Sequence, residues 1–169
     1  MVRNILIQIV ILSFFISCSN DKENNEEQLD ESSQLQGKWN AKAMKIDDQT
    51  ASDEAKFGSD ILDFLTENSC TIISFTFNAD LSLVAESSAD YISINVNGNG
   101  SGLDIPCPTE SDIDTTVYTY DGTTLTFADA DGKTISLTPV IEGNIMTITA
   151  VDLGFANFDA EGELVFEKM

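Results

Sequence analysis

The sequence contains no histidine, and cysteine is the residue type for which its pattern indicates covalent chemistry. The three cysteines are Cys18, Cys70 and Cys107. Without histidine the chain lacks the general base of the common serine and cysteine nucleophile arrangements, and two cysteines fill only half of a tetrahedral zinc site. We therefore expect no enzyme activity, no catalytic residue, no metal and no cofactor. The chemistry left to the cysteines is acylation and disulfide formation.

Cys18 stands where an apolar segment ends and a polar one begins. Arg3 precedes an apolar run over residues 5–15, which is shorter than the roughly 20 residues of a bilayer span and is typical of a signal peptide. The run leads into Phe15-Ile16-Ser17-Cys18, which resembles the site where lipoproteins are cleaved and lipidated. We expect removal of residues 1–17 and lipid, including palmitate, on Cys18. An ordinary signal peptide with a chance cysteine is the alternative.

The segment that follows, residues 18–34, is predicted to be a lipidated cysteine and a disordered tether. After Cys18 it is polar and acidic and contains one apolar side chain, Leu29, so it cannot bury enough surface to offset its ordering entropy. Lys22-Glu23 and Glu26-Glu27 resemble the acidic stretches that direct some lipoproteins to the outer leaflet. The expected location is the outer membrane of a Gram-negative bacterium, on the periplasmic side or at the cell surface.

The charge of the chain excludes one class of partner. After residue 17, seven lysines stand against 29 aspartates and glutamates, a formal charge of −22. Nucleic-acid binding requires lysine and arginine to neutralise phosphates, so nucleic acid is excluded. The same charge repels an anionic membrane surface, which leaves the membrane contact to the lipid on Cys18.

Cys70 and Cys107 remain once lipid occupies Cys18. Disulfides persist in exported proteins, and an even pair of cysteines predicts a bridge between them. Two free buried thiols are the alternative.

Residues 35–169 are predicted to form one domain, in which apolar and polar residues alternate as in half-buried strands. Turn signals at Asp121-Gly122, Asp131-Gly132 and Gly143-Asn144 have the spacing of antiparallel hairpins. Further strands are predicted over residues 39–46 and 91–96. Each remaining predicted strand has one apolar face, made by Ile73, Phe75, Phe77, Leu125, Phe127, Ile135, Leu137, Met146, Ile148 and Ala150.

One segment shows helical periodicity instead. Ser52 is a suitable N-cap, and Phe57, Ile61 and Leu65 recur at helical spacing, which predicts an amphipathic helix over residues 53–67. About eight or nine strands with one short helix after the first predict a mainly β fold, either a sandwich or a barrel. Short sequential hairpins favour an antiparallel up-and-down β-barrel, because closure removes exposed edges.

The segment Leu35-Gln36-Gly37-Lys38-Trp39 resembles the Gly-x-Trp opening of lipocalins. With residues 75–80 and 117–127, it makes residues 35–152 similar to the small lipocalin-like domains of bacterial lipoproteins. In lipocalins the tryptophan plugs the closed end of the barrel, and an arginine from a late strand often stacks on it. This chain has no arginine after Arg3, and Lys168 is its only late cation.

The resemblance implies a small apolar ligand in the barrel interior. The candidate ligand pocket consists of Trp39, near the closed end, and Phe75, Phe77, Leu125, Phe127, Ile135, Leu137, Met146 and Ile148 on the walls. A filled core would instead make the domain a structural or interaction scaffold, since barrels of about eight strands can be hollow or filled. Phenylalanines available to fill it are Phe57, Phe64, Phe75, Phe77, Phe127, Phe155 and Phe158. The sequence indicates no particular protein partner.

Replacing the predicted lipid acceptor tests the processing site. In Cys18→Ala the acyl chains have no attachment point, so the chain should be unlipidated and released from the membrane fraction. Mass spectrometry of that fraction makes the measurement, and an unchanged mass with retained membrane binding would refute lipidation at Cys18.

Overall fold

The computed structural model describes residues 32–96, 102–153 and 162–169. Cys18, the predicted signal peptide and most of the tether lie outside the described residues, as do Phe155 and Phe158. Nine of the described strands form one antiparallel sheet, which curls into a half-barrel. They are β1 (Gly37–Lys45), β2 (Ile73–Phe77), β3 (Ser82–Ser87), β6 (Asp112–Tyr120), β7 (Leu125–Ala128), β8 (Thr134–Leu137), β9 (Val140–Glu142), β10 (Ile145–Thr149) and β11 (Glu163–Lys168).

The remaining described strands, β4 (Asn95–Val96) and β5 (Leu103–Asp104), form a separate two-stranded hairpin. Helix α1 (Asp53–Glu67) lies between β1 and β2. The predicted mainly β, antiparallel fold with a helix after the first strand is therefore confirmed. The strand predicted over residues 91–96 is wrong for most of its length, because a 3-10 turn occupies Ala89–Tyr91 and extended pairing starts only at Asn95.

The sheet has the strand order β8-β7-β6-β3-β2-β1-β11-β10-β9. Neighbours in the sheet are also consecutive in the chain, with two exceptions. Strand β3 pairs with β6, because the β4–β5 hairpin lies between them in the sequence, and β1 pairs with β11 as well as with β2. The edge strands β8 and β9 follow each other in the chain and run in the same direction. Thr138 and Pro139 join them, and a proline has no N–H to give to a ladder. The chain thus crosses from one sheet edge to the other within two residues.

The two ends of the half-barrel differ. At the Trp39 end, where β1 begins, the segment 32–36 packs against the sheet, and Ser32 and Leu35 are fully buried. The packed domain thus includes Ser32, three residues before the predicted start at Leu35. At the α1 end, where β1 stops and β2 begins, helix α1 and the chain between β3 and β6 lie next to the sheet.

Helix α1 begins and ends as its sequence dictates. The Ser52 Oγ accepts a hydrogen bond from the Ala55 N–H (3.1 Å), as predicted for the N-cap. At the other end Ser69 adopts a left-handed conformation (φ 65°), and the Cys70 N–H donates to the Leu65 carbonyl oxygen (2.9 Å). This C-terminal motif turns the chain sharply and places Cys70 beside the sheet.

The predicted disulfide between Cys70 and Cys107 is present, with the two Cα atoms 5.4 Å apart. It ties the end of α1 to the segment that follows β5, as expected. That segment also contributes Ile105 to the core. The bridge therefore anchors the long excursion between β3 and β6 to the α1 end of the half-barrel.

Removing the bridge should lower the free energy of unfolding without changing the fold. The cysteines are 37 positions apart, and closing a loop of that size stabilises by roughly 4 kcal/mol through the entropy of the unfolded chain. Urea denaturation of the double variant Cys70→Ser, Cys107→Ser measures the loss. An unchanged unfolding midpoint, or two free thiols in the unreduced wild-type chain, would contradict the bridge.

Candidate functional site

The Trp39 end of the half-barrel is filled by aromatic side chains. The rings of Phe75 and Phe166 have centroids 5.3 Å apart, and Phe77 meets Tyr118 edge-on at 5.1 Å. Aliphatic side chains buried around them include Leu83, Leu125, Leu137 and Met146. This half of the interior is a packed core.

Trp39 lies inside this core and is held by two polar contacts. Its Nε1–H donates to the Leu35 carbonyl oxygen (2.6 Å), and the Lys168 Nζ lies 5.1 Å from its ring centroid, within the range of a cation–π interaction. The same ammonium donates to the Gln34 carbonyl oxygen (3.1 Å). The late-strand lysine thus joins the first strand, the last strand and the segment before β1.

The interior is open towards the α1 end, where a cavity of about 410 Å³ remains. Three of the predicted wall residues line it, namely Phe75, Phe127 and Ile135, together with Ile73, Ala85 and Leu153. Polar side chains complete the lining, including Asp112, Asp114, Asp129 and Lys133. The cavity therefore has an apolar wall and a polar rim.

Strand β6 explains how charged groups come to face the interior. Tyr118 and Tyr120 are buried in the core, so the alternation of a strand turns Asp112 and Asp114 to the same side. Ile113 and Val117, which are 62% and 71% exposed, occupy the outer face. This is the reverse of the usual arrangement, so neither aspartate was among the pocket residues predicted from the apolar faces of the strands. Counting back in steps of two from Tyr118 would have found them.

Hydrogen bonds fix several of the rim groups. The Tyr91 hydroxyl donates to Asp112 Oδ1 (2.8 Å), and this bond, together with the negative charge of Asp112, raises the pKa of Tyr91 above its ordinary value. The Asp129 Oδ1 accepts from the backbone N–H groups of Asp131 and Lys133 (3.1 and 2.8 Å). Asp129 therefore shapes the β7–β8 turn, which carries Lys133 to the rim.

The nine predicted pocket residues divide into two groups. Phe75, Phe127 and Ile135 line the cavity. The other six belong to the packed core and do not line it: Trp39, Phe77, Leu125, Leu137, Met146 and Ile148. Of the phenylalanines offered as filling, Phe57 and Phe64 are about half exposed on α1, so they do not fill the interior.

Comparisons were made with protein-family models, with curated proteins and with solved structures. None of them finds a match. Among the described residues, no three cysteine or carboxylate side chains are grouped so that they could hold a metal ion. Within the same residues, no helix has the length and apolar character needed to cross a bilayer.

The division between core and cavity wall predicts different costs for two phenylalanine truncations. Phe77→Ala should lower the free energy of unfolding by about 3–5 kcal/mol, because it leaves a void in the filled half. Phe127→Ala should cost about half as much, since its side chain is only partly buried beside existing space. Urea denaturation of both variants measures the difference, and equal costs would contradict the division.

Proposed function

We propose that this chain is a membrane-anchored lipoprotein of the outer membrane whose lipocalin-like half-barrel binds a small molecule in its interior. The ligand would have an apolar body and a polar end. The lipid on Cys18 would hold the domain at the membrane, and the binding cavity would face away from the segment 32–36 that leads back to the tether. In this proposal the protein has no catalytic role.

The observation that carries the binding proposal is the cavity of about 410 Å³ at the α1 end. Ligand sites in proteins are concave, largely preformed, mostly apolar and equipped with a few polar groups. Phe75, Phe127 and Ile135 supply the apolar wall, and Asp112, Asp114 and Lys133 supply the polar groups. The mixed lining favours an amphipathic ligand over the wholly apolar one that the resemblance alone implies.

The contacts of Trp39 support the lipocalin-like assignment. Lipocalins place an arginine from a late strand on the tryptophan of the first strand, and here Lys168 lies over the Trp39 ring. The strand register also brings the two residues together, because Trp39 on β1 is paired with Lys168 on β11. A lysine can form the cation–π contact, although it lacks the planar fork of arginine.

A second candidate function is a display or interaction scaffold, and it is favoured by the filled half of the interior. Six predicted pocket residues are packed in the core, and Ile113 and Val117 stand exposed on the outer face of β6. Such apolar side chains are available to a protein partner. The scaffold would need no ligand in the cavity.

Ligand titration separates the two candidates. A fatty acid, a sterol, haem and a long-chain amine are each added to the full chain, and binding should raise the melting temperature by mass action on the folded state. Trp39 fluorescence should also change, because Trp39 pairs with Phe75 on the cavity wall and the chain has no other tryptophan. No response to any of the four would favour the scaffold.

A matched pair of variants locates the binding. Ala85→Phe adds a ring to the cavity wall and should abolish the response, since the added side chain takes the space of the ligand. Thr115→Phe adds the same ring to an exposed position on β6 that does not line the cavity and should leave it unchanged. A ligand that binds both variants equally does not occupy this cavity.

A further inference from the structure

A second cavity, which we name the α1 cleft, lies between helix α1 and the open end of the sheet. Its volume is about 290 Å³. The residues that line it are all apolar: Met44, Phe57, Gly58, Ile61, Leu62, Ile72, Ile73, Ala89, Ile92, Ile94 and Leu164. Ile73 also lines the interior cavity. The two spaces therefore adjoin, but their linings differ in chemistry.

Three parts of the chain build the α1 cleft. Helix α1 contributes one wall, and the ends of β1, β2 and β11 contribute the floor through Met44, Ile73 and Leu164. The 3-10 turn and the residues after it contribute the opposite wall through Ala89 and Ile92. The disulfide from Cys70 to Cys107 ties the end of α1 to the excursion that carries this opposite wall.

The lining identifies the part of a ligand that would fit. No side chain of the cleft can donate or accept a strong hydrogen bond, so a polar group placed there would lose its hydrogen bonds to water. Phe57 and Ile94 are 48% and 43% exposed despite lining the cleft, and a bound apolar group would cover them. A cavity of ~150 Å³ accepts benzene, so this volume suits a chain of roughly ten to twelve carbon atoms.

The charge around the cleft restricts the head group of such a ligand. Helix α1 carries five acidic residues and one basic residue: Asp53, Glu54, Asp60, Asp63, Glu67 and Lys56. The pKa of Asp63 is raised, first by burial and then by the negative charges of Glu67 and Asp60. Since this charge would repel an anion at the mouth, the head group should be neutral or cationic.

From these observations we infer that the α1 cleft is a binding site for a single unbranched hydrocarbon chain on an uncharged or cationic head group. The inference goes beyond the proposed function, because it rests on a different cavity with a different lining. The chain would lie between α1 and the floor residues, with its head group at the mouth beside Phe57 and Ile94.

Straight-chain alcohols test the site. The full chain, labelled at its isoleucine and methionine methyl groups, is titrated with hexanol, octanol and decanol, and methyl NMR shifts report binding at Met44, Ile61 and Ile92. Affinity should rise about fourfold for each added methylene, because each buries apolar area in the cleft. Octanoate should bind at least tenfold more weakly than octanol. Affinity that is independent of chain length, or equal for alcohol and carboxylate, would overturn the inference.

Variants show whether the shifts arise in the cleft. Gly58→Leu fills it from the helix wall, and a leucine favours the helix relative to glycine, so the fold should persist while decanol binding is lost. Glu67→Leu adds the same side chain to α1 at an exposed position outside the lining and should bind as the wild type. Binding retained by Gly58→Leu would refute the site.

Two further variants complete the test. Ala89→Leu fills the cleft from the opposite wall and should also lose decanol binding, so the result does not depend on the folding of one variant. Ala85→Phe should block the interior cavity and leave decanol binding intact. The α1 cleft and the proposed interior site can therefore each fail independently.

Discussion

The aromatic packing at the Trp39 end is the interaction on which the rest of the half-barrel depends. Phe75, Phe77, Tyr118 and Phe166 come from β2, β6 and β11, and tilted and edge-on ring contacts of this kind contribute about 0.5–1.5 kcal/mol each beyond their burial. These ring contacts join strands that are far apart in the sequence into one hydrophobic core. The strands are consequently fixed at one end and free to enclose space at the other.

That difference between the ends gives each half of the interior its own chemistry. Where the rings meet, no space is left for a ligand. Towards α1 the inward positions change from tyrosine to aspartate along β6, from phenylalanine to isoleucine along β2, and from leucine to alanine along β3. A strand that turns its carboxylates inward and its aliphatic side chains outward gives up burial energy. Such a cost is expected where a cavity serves recognition rather than stability.

Local patterns in the sequence predict much of this fold. The cap at Ser52 and the spacing of Ile61 and Leu65 predict α1 with its observed bounds, and two-residue alternation predicts β2, β7, β8 and β10. The course of the excursion between β3 and β6 is less predictable, because its described part is fixed to the domain by the disulfide and by Ile105, while β4 and β5 pair with each other and not with the large sheet.

The candidate site was harder to predict than the fold. Alternation identifies which side chains face inward, but whether they touch or leave a space depends on sheet curvature and on side chains from distant strands. Phe77 and Phe127 have the same pattern in the sequence, yet one lies in the core and the other on a cavity wall. The α1 cleft depends on the position of helix α1 relative to the ends of β1, β2 and β11. The hydrophobic periodicity of the sequence predicts the helix and the strands but not their relative position.

The position of β1 between β2 and β11 determines when each of its two edges can be paired during synthesis. One edge of β1 can pair with β2 early in synthesis, whereas the other edge pairs with β11, the last of the described strands. Non-local pairings of this kind form slowly, so a growing chain would present an unpaired β1 edge until β11 has been synthesised. β1 carries Lys38, Lys42 and Lys45, and lysines on an open edge oppose pairing between chains. In the finished sheet Lys38 lies 3.7 Å from Glu86 and Lys42 lies 3.9 Å from Glu167, so two of the charges that oppose pairing between growing chains become ion pairs once the sheet is complete.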